Sequence, residues 1–338
     1  MIKLRRLLLS LSLILTFATC KQATDDDSTD TYSNGILSVQ TVSYNANTYI
    51  FKVRYFVLSA NNSNQLIHSE TGGLPSLANF SSGITSYTFS CTSVSTLSTP
   101  PSGHHSTVLL LDEGKDAPYA DAPLREQSSR RFLKTSGDDY GNNFTLAAFA
   151  SGGLIPHDPV SIFSNGFITN ANVFDIPLAQ LHDTEFGGTS PVLHALDSII
   201  QYFKGNASPN KNIVLMSTDL DDASPVLEDS LINRAVRNHI RCHIIRNSDS
   251  ESNDLLLSKI AIKTGGLITP VQYLVGTDLP ILSSRLNDIL KGNFQCFEAT
   301  FQMKANRSVF YSGYSLFAYL QLQLNPGQPT YLPFYAQI

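Results

Sequence analysis

The chain has 338 residues, with 28 acidic against 23 basic side chains and a formal net charge of −5. That balance argues against a nucleic-acid partner held by phosphate neutralisation, and against a polybasic grip on anionic lipid. The length is that of one or two domains.

The first residues, Met1 to Arg6, carry Lys3, Arg5 and Arg6, and an apolar run follows from Leu7 to Ala18, broken only by serines and a threonine. The run is short for a membrane span, which takes about 20 residues, and its flanks are those of a secretory leader. Thr16-Phe17-Ala18-Thr19 leads directly onto Cys20. This junction resembles the lipobox of bacterial lipoproteins, with Phe17 where Leu is usual and Thr19 where Gly or Ala is usual. The resemblance implies a leader over 1–19, a lipid on Cys20 and a place in the bacterial cell envelope, facing the periplasm or the exterior. Loss of the three basic leader residues takes the charge from −5 to −8, so anchoring would fall to the lipid itself. Residues 20–34 are polar, with Asp25, Asp26, Asp27 and Asp30 and no apolar cluster. Such a stretch cannot bury enough surface to offset its ordering entropy and reads as a flexible tether.

From Ile36 to about Val94 the texture is β. Val39-Gln40-Thr41-Val42, Tyr49 to Val57 and Tyr87 to Cys91 are β-branched and aromatic, punctuated by Asn61-Asn62-Ser63-Asn64 and Thr71-Gly72-Gly73. Ser95 to Gly103 is almost all Ser, Thr, Pro and Gly and reads as a linker. His104-His105 follows, and reads as part of that solvated linker rather than as a transition-metal site, because no Cys or acidic partner stands at ligand spacing.

The pattern then switches. Val108 to Asp112, Phe144 to Phe149, Asn212 to Ser217 and Cys242 to Ile245 are continuous apolar runs, as strands buried on both faces would be. Pro191 to Lys204 places Leu193, Leu196, Ile200 and Phe203 on one helical face, with Thr189 or Ser190 able to cap it. Leu227, Leu231 and Ala235 begin another helix. Leu256 and Ile260 mark a third, stopped by Gly265-Gly266, and Leu282, Leu286 and Ile289 a fourth, stopped by Gly292. Buried strands alternating with amphipathic helices predict a doubly wound, mainly parallel α/β sheet. After Gly292 the texture returns to β, in Phe294 to Phe301 and Leu316 to Leu324. The economical organisation is a β-sandwich whose halves span 35–104 and 292–338, with an α/β domain at 105–291 inserted between them.

In an open parallel sheet, ligands sit outside the carboxyl ends of the strands. Asp112, the loop Gly187-Gly188-Thr189 and Asp219 should converge there, an oxygen-rich rim suited to Mg2+, or to Mn2+ or Ca2+. These elements together resemble a von Willebrand factor A-type domain. Its Asp-x-Ser-x-Ser motif aligns with Asp112-Glu113-Gly114-Lys115-Asp116. Its Gly-Gly-Thr loop matches Gly187-Gly188-Thr189, its Thr-Asp matches Thr218-Asp219, and its late Ile-Ala-x-x-Thr-Gly-Gly pattern matches Ile260 to Gly266. The family's metal-ion-dependent adhesion site implies Asp112, Asp116, Thr189 and Asp219 as metal ligands. Gly114 supplies no side-chain oxygen, and Asp116 brings a carboxylate where the family has a hydroxyl. The outcome is an intact site with altered preference, a weak site, or a dead site on a retained fold. Glu113 would sit beside Asp112 and could point away; His182-Asp183 and Asp221-Asp222 could line the same rim.

Cys242, in a strand-like run, reads as a buried apolar thiol, and Cys91 and Cys296 are the candidate disulfide pair. Nucleophile elbows, HExxH and phosphate loops are absent. The expected function is non-catalytic recognition of a protein partner. The alternative is a metal-independent assembly module of an envelope complex.

Overall fold

The computed structural model describes residues 32–59, 74–78, 86–99, 101–114, 122–151, 160–183, 188–217, 226–246, 251–270, 278–292, 294–325 and 328–338. The leader, Cys20 and nearly all of the acidic tether lie outside these residues.

All four apolar runs form strands. β5 (Ser106–Asp112), β6 (Asn143–Phe149), β8 (Lys211–Ser217) and β9 (Ile240–Arg246) lie side by side and parallel in the order β9-β8-β5-β6, and β10 (Ile268–Pro270) extends them parallel to β9. Every residue of β5 is buried, because helices cover both faces. Val108 and Leu110 point to one side, where they join Leu196 and Ile199 of α3 (Val192–Tyr202), Leu231 of α4 (Glu228–Arg237) and Ile260 of α5 (Glu251–Thr264). Leu109 and Leu111 point to the other. There they meet Phe132 of α1 (Ala122–Gly137), Leu178 of α2 (Asp175–Asp183) and Leu282 of α6 (Asp278–Lys291). Strict alternation of side chains along a strand makes one apolar run serve two cores. A short strand, β7 (Val160–Ile162), closes this edge antiparallel to β6.

The flanking segments form two layers. β1 (Tyr32–Asn45), β2 (Thr48–Ser59), β4 (Tyr87–Ser98) and β11 (Gln295–Ala305) pair antiparallel in the order β4-β11-β2-β1. β3 (Ser76–Ala78), β12 (Ser315–Asn325) and β13 (Gln328–Gln337) make a second sheet, ordered β13-β12-β3. Between the layers Phe51 of β2 stacks on Phe301 of β11, with centroids 5.7 Å apart, and reaches Phe334 of β13 at 5.9 Å. Each such fully buried side chain contributes about 1.5–3 kcal/mol by area burial.

The sandwich is not the separate body that its place in the sequence suggests. β1 pairs with β10 through Ile36 and Ile268, so the larger layer continues the parallel sheet and the whole has ten strands. One apolar core also runs through both regions, containing Phe51, Phe334, Ile260 and Leu215 together. Tyr319 of β12 donates to Asp254 of α5 at 2.9 Å, a polar tie between the small sheet and the helical layer. The boundaries expected at 104/105 and 291/292 therefore mark changes of texture within one sheet.

The expected disulfide is corrected by register. Within the β4–β11 pair, Cys91 lies opposite Phe301 and Cys296 opposite Leu97, so the two thiols sit at different levels of the ladder. Cys91, Cys242 and Cys296 are all free thiols. Cys242 is buried in β9, as expected of it. Among the described residues no helix is long and apolar enough to cross a membrane.

Candidate functional site

Asp112 is the last residue of β5, between Phe149 of β6 and the end of β8, and it has no exposed surface. A buried carboxylate costs several kcal/mol unless its oxygens are hydrogen-bonded. Among the described residues three donors serve that need. Ser190 donates through Oγ to Oδ1 at 2.7 Å, the Gly114 amide donates to Oδ1 at 3.1 Å, and Ser217 donates through Oγ to Oδ2 at 3.0 Å. They come from the loop before α3, the β5 exit and the last position of β8, so the carboxylate ties three segments of the rim together.

Ser190 was expected as a cap for the following helix. It caps nothing: Pro191 occupies the cap position without a side-chain hydrogen bond, and α3 begins at Val192. The Ser190 hydroxyl is committed to Asp112 instead. Thr189, beside it, is tied to the β6 exit. Its amide and its hydroxyl both donate to Ser151 Oγ, at 2.5 and 3.0 Å, and the Ser151 amide donates to the Thr189 carbonyl at 3.0 Å. Thr189 is half-buried and stands at the rim surface.

Glu113 does point away from this cluster. Its amide continues the ladder to the Phe149 carbonyl at 2.9 Å, and its side chain pairs with Arg125 of α1 at 3.2 Å. Both groups are buried beside a small cavity of about 10 Å³ lined by Leu111, Ala122, Leu178 and Leu181. Burial pushes the Glu113 carboxyl up to about 7, with the Asp112 charge adding to the rise and Arg125 opposing it.

Of the four positions assigned to a metal, the described residues contain Asp112 and Thr189; Asp116 and Asp219 lie outside them, as do Gly187 and Asp221-Asp222. The side chains of His182 and Asp183 are also outside the described set. Sequence reading missed Ser217, Ser151 and Arg125. Ser217 carried a usable signal, since it ends an apolar run one step before the Thr-Asp pair. Ser151 and Arg125 carried none, because they act only through the fold.

A cation at this rim would have to take lone pairs from Asp112, which has about four to offer. Hydrogen bonds from the described residues occupy both on Oδ1 and one on Oδ2. Position 114 adds no oxygen and has no room for one, since a Cβ built on Gly114 would stand 2.2 Å from Ser190 Oγ. Among the described residues no group of three or more His, Cys, Asp or Glu side chains is placed to hold a metal. The described donors by themselves, at most one lone pair of Asp112 and the Thr189 hydroxyl, fall short of the roughly six oxygens that a divalent ion of this kind takes, and Asp116 and Asp219 lie outside the described residues.

No protein-family model and no curated protein matches the chain. Solved structures do resemble it. A von Willebrand factor type A protein from Catenulispora acidiphila matches with a TM-score of 0.43 and 10% identity, covering 91% of this chain and 74% of that one. The SpRpn10 VWA domain matches with a TM-score of 0.41 and 14% identity over 53% of this chain and 94% of that one. The pilus adhesin SpaC from Lactobacillus rhamnosus GG matches with a TM-score of 0.43 and 10% identity over 94% of this chain, which spans 50% of the adhesin.

Proposed function

We propose that this chain is a lipid-anchored protein of the bacterial cell envelope that recognises a protein partner, without catalysis, through the rim at the carboxyl ends of β5, β6 and β8. The observation that carries the reading is the convergence of three segments on the buried Asp112 carboxylate, with Thr189 clasped to Ser151 beside it. This is the edge at which open parallel sheets take their ligands. Loops already tied to one another lose little further freedom on binding, which favours affinity. The ordered motifs Asp112, Gly187-Gly188-Thr189, Thr218-Asp219 and Thr264-Gly265-Gly266 support the same reading. The anchor rests on Cys20 and the acidic segment behind it, which would hold the rim clear of the membrane.

The test is affinity capture from envelope and host-surface extracts, with the wild type and Thr189→Arg in parallel. The arginine adds bulk and charge at the rim surface without touching the Asp112 hydrogen bonds. A specific partner should be lost at least tenfold from the variant while its circular dichroism is unchanged. Capture that is equal for both chains would place the contact elsewhere. Expression of Cys20→Ser in a bacterium should move the chain from the membrane fraction to the soluble one, and retention in the membrane would remove the lipid from the proposal.

A further inference from the structure

The hydroxyl of Ser190 and any side chain at position 114 compete for one space. A Cβ on Gly114 would meet Ser190 Oγ at 2.2 Å and the Ser190 amide nitrogen at 3.2 Å. Real Cβ atoms do not approach that closely, so a residue larger than glycine would turn the Ser190 hydroxyl off Asp112. Glycine is therefore the residue that lets Ser190 reach the carboxylate at 2.7 Å. The hydroxyl is a charge-assisted donor, and with Ser217 and the Gly114 amide it spreads the carboxylate charge over three dipoles. That is the electrostatic service a bound cation would otherwise perform for a buried anion. It also does the mechanical work of holding the β5 exit, the 188–190 loop and the end of β8 in one arrangement.

We infer that Ser190 and Ser217 hold Asp112 in place of a divalent ion, so that the rim keeps its shape and takes its partner without one. The second clause rests on the rim being the recognition face; the first does not. The site then belongs to a class that recognises its partner by hydroxyls, amides and shape, and not by a metal-bridged acidic side chain of the partner.

The experiment is thermal unfolding of the mature chain in EDTA and in millimolar Mg2+, Mn2+ or Ca2+, combined with a cycle of variants. The wild-type Tm should be the same in EDTA and in each ion. Ser190→Ala should lower it by several degrees, because Asp112 loses a donor. Gly114→Ser should lower it too, by displacing the Ser190 hydroxyl. The double variant should recover part of the loss, since the new hydroxyl at 114 can enter the space that Ser190 has vacated; coupling of this kind is what a double-mutant cycle isolates. A saturable ion-dependent rise in the wild-type Tm that disappears in Asp112→Asn would overturn the inference, and so would strictly additive losses in the cycle. If Gly114→Ser fails to fold, the wild-type ion titration and Ser190→Ala still decide the first clause. Partner capture should be unchanged by EDTA. Capture that requires an ion, with a Tm that does not, overturns the second clause alone, whereas capture that survives Thr189→Arg counts against the rim as the recognition face and leaves the Tm result standing.

Discussion

Gly266→Ala should cost more than about 4 kcal/mol and leave little folded protein, the class of loss reserved for backbone collisions in a core. A Cβ at 266 would stand 2.0 Å from the carbonyl oxygen of Cys242, 2.4 Å from its carbonyl carbon and 3.0 Å from the amide nitrogen of His243. These are backbone atoms of β9, which is paired with β8 along its whole length and cannot step aside. The chain leaving α5 is pinned against that strand from several sides. The Cys242 amide donates to Thr264 Oγ1 at 3.0 Å, the Ile244 amide to the Leu267 carbonyl at 2.8 Å, and the Gly266 amide to the Ala261 carbonyl at 2.9 Å. Gly265 is the internal control. Its φ is +77°, and a Cβ there would meet nothing nearer than Arg241 Cγ at 3.9 Å. Gly265→Ala should therefore cost only the left-handed strain, about 1–2 kcal/mol. Denaturant unfolding followed by far-UV circular dichroism suits a chain with no tryptophan. Equal losses in the two variants would show that the close approach to β9 is not what position 266 is for.

The glycine pair shows how far the sequence could be read. Its letters gave a helix stop and a family motif; which of the two glycines is sterically required depends on the path over β9. The parallel strands were legible because burial on both faces leaves an uninterrupted apolar run, and β5 is buried at every position. The helix Ala122–Gly137 was not, because its buried side mixes Phe132 and Leu133 with Arg125, Ser128, Ser129 and Ser136, which blurs the apolar period. The joining of the sandwich to the parallel sheet was invisible for a different reason: it runs through the single register pair Ile36 and Ile268. At the rim, Asp112 and Thr189 stood out by residue type and position. Ser190 stood out for the wrong task, since a serine before a helix has capping as its commonest use and only the fold brings Asp112 within its reach. His105 was read as a solvated linker residue and is buried, because the linker's last residues pass beneath α6.

That misreading has a measurable consequence: the fold should weaken in mild acid. His105 receives a hydrogen bond from Thr107 Oγ1 at 2.8 Å on Nδ1 and donates from Nε2 to Asn287 Oδ1 at 2.7 Å, the roles that the amide oxygen dictates. His243 is placed similarly. Its Nδ1 accepts from the Leu267 amide at 3.2 Å and its Nε2 faces Asn212 Oδ1 at 3.1 Å. A second proton on His243 would set an N–H against the Leu267 N–H. Burial lowers the His105 pKa to about 4, with Arg241 and Lys291 lowering it further against Asn287 and Asp139; burial also holds His243 well below 6.5, helped by Arg241 and His105. A folded-state pKa below the unfolded one means that the unfolded chain takes up protons first as the pH falls. Stability is then whole above 6.5 and is lost on the way down to about 4, with His105 alone accounting for about 3 kcal/mol. Glu113 acts with the opposite sign. Its carboxyl is raised from 4.5 to about 7, so it favours the fold at low pH and withdraws that support as the pH rises through the same window. Among the described groups, His105 and Glu113 offset each other in their shared range, and His243 adds a slope of its own in the same direction as His105. The unfolding free energy should therefore fall as the pH is taken from 6.5 towards 4.5. His243→Gln should be less stable at pH 7 but distinctly flatter across that range. A variant as steep as the wild type would move the acid sensitivity to groups other than this buried imidazole.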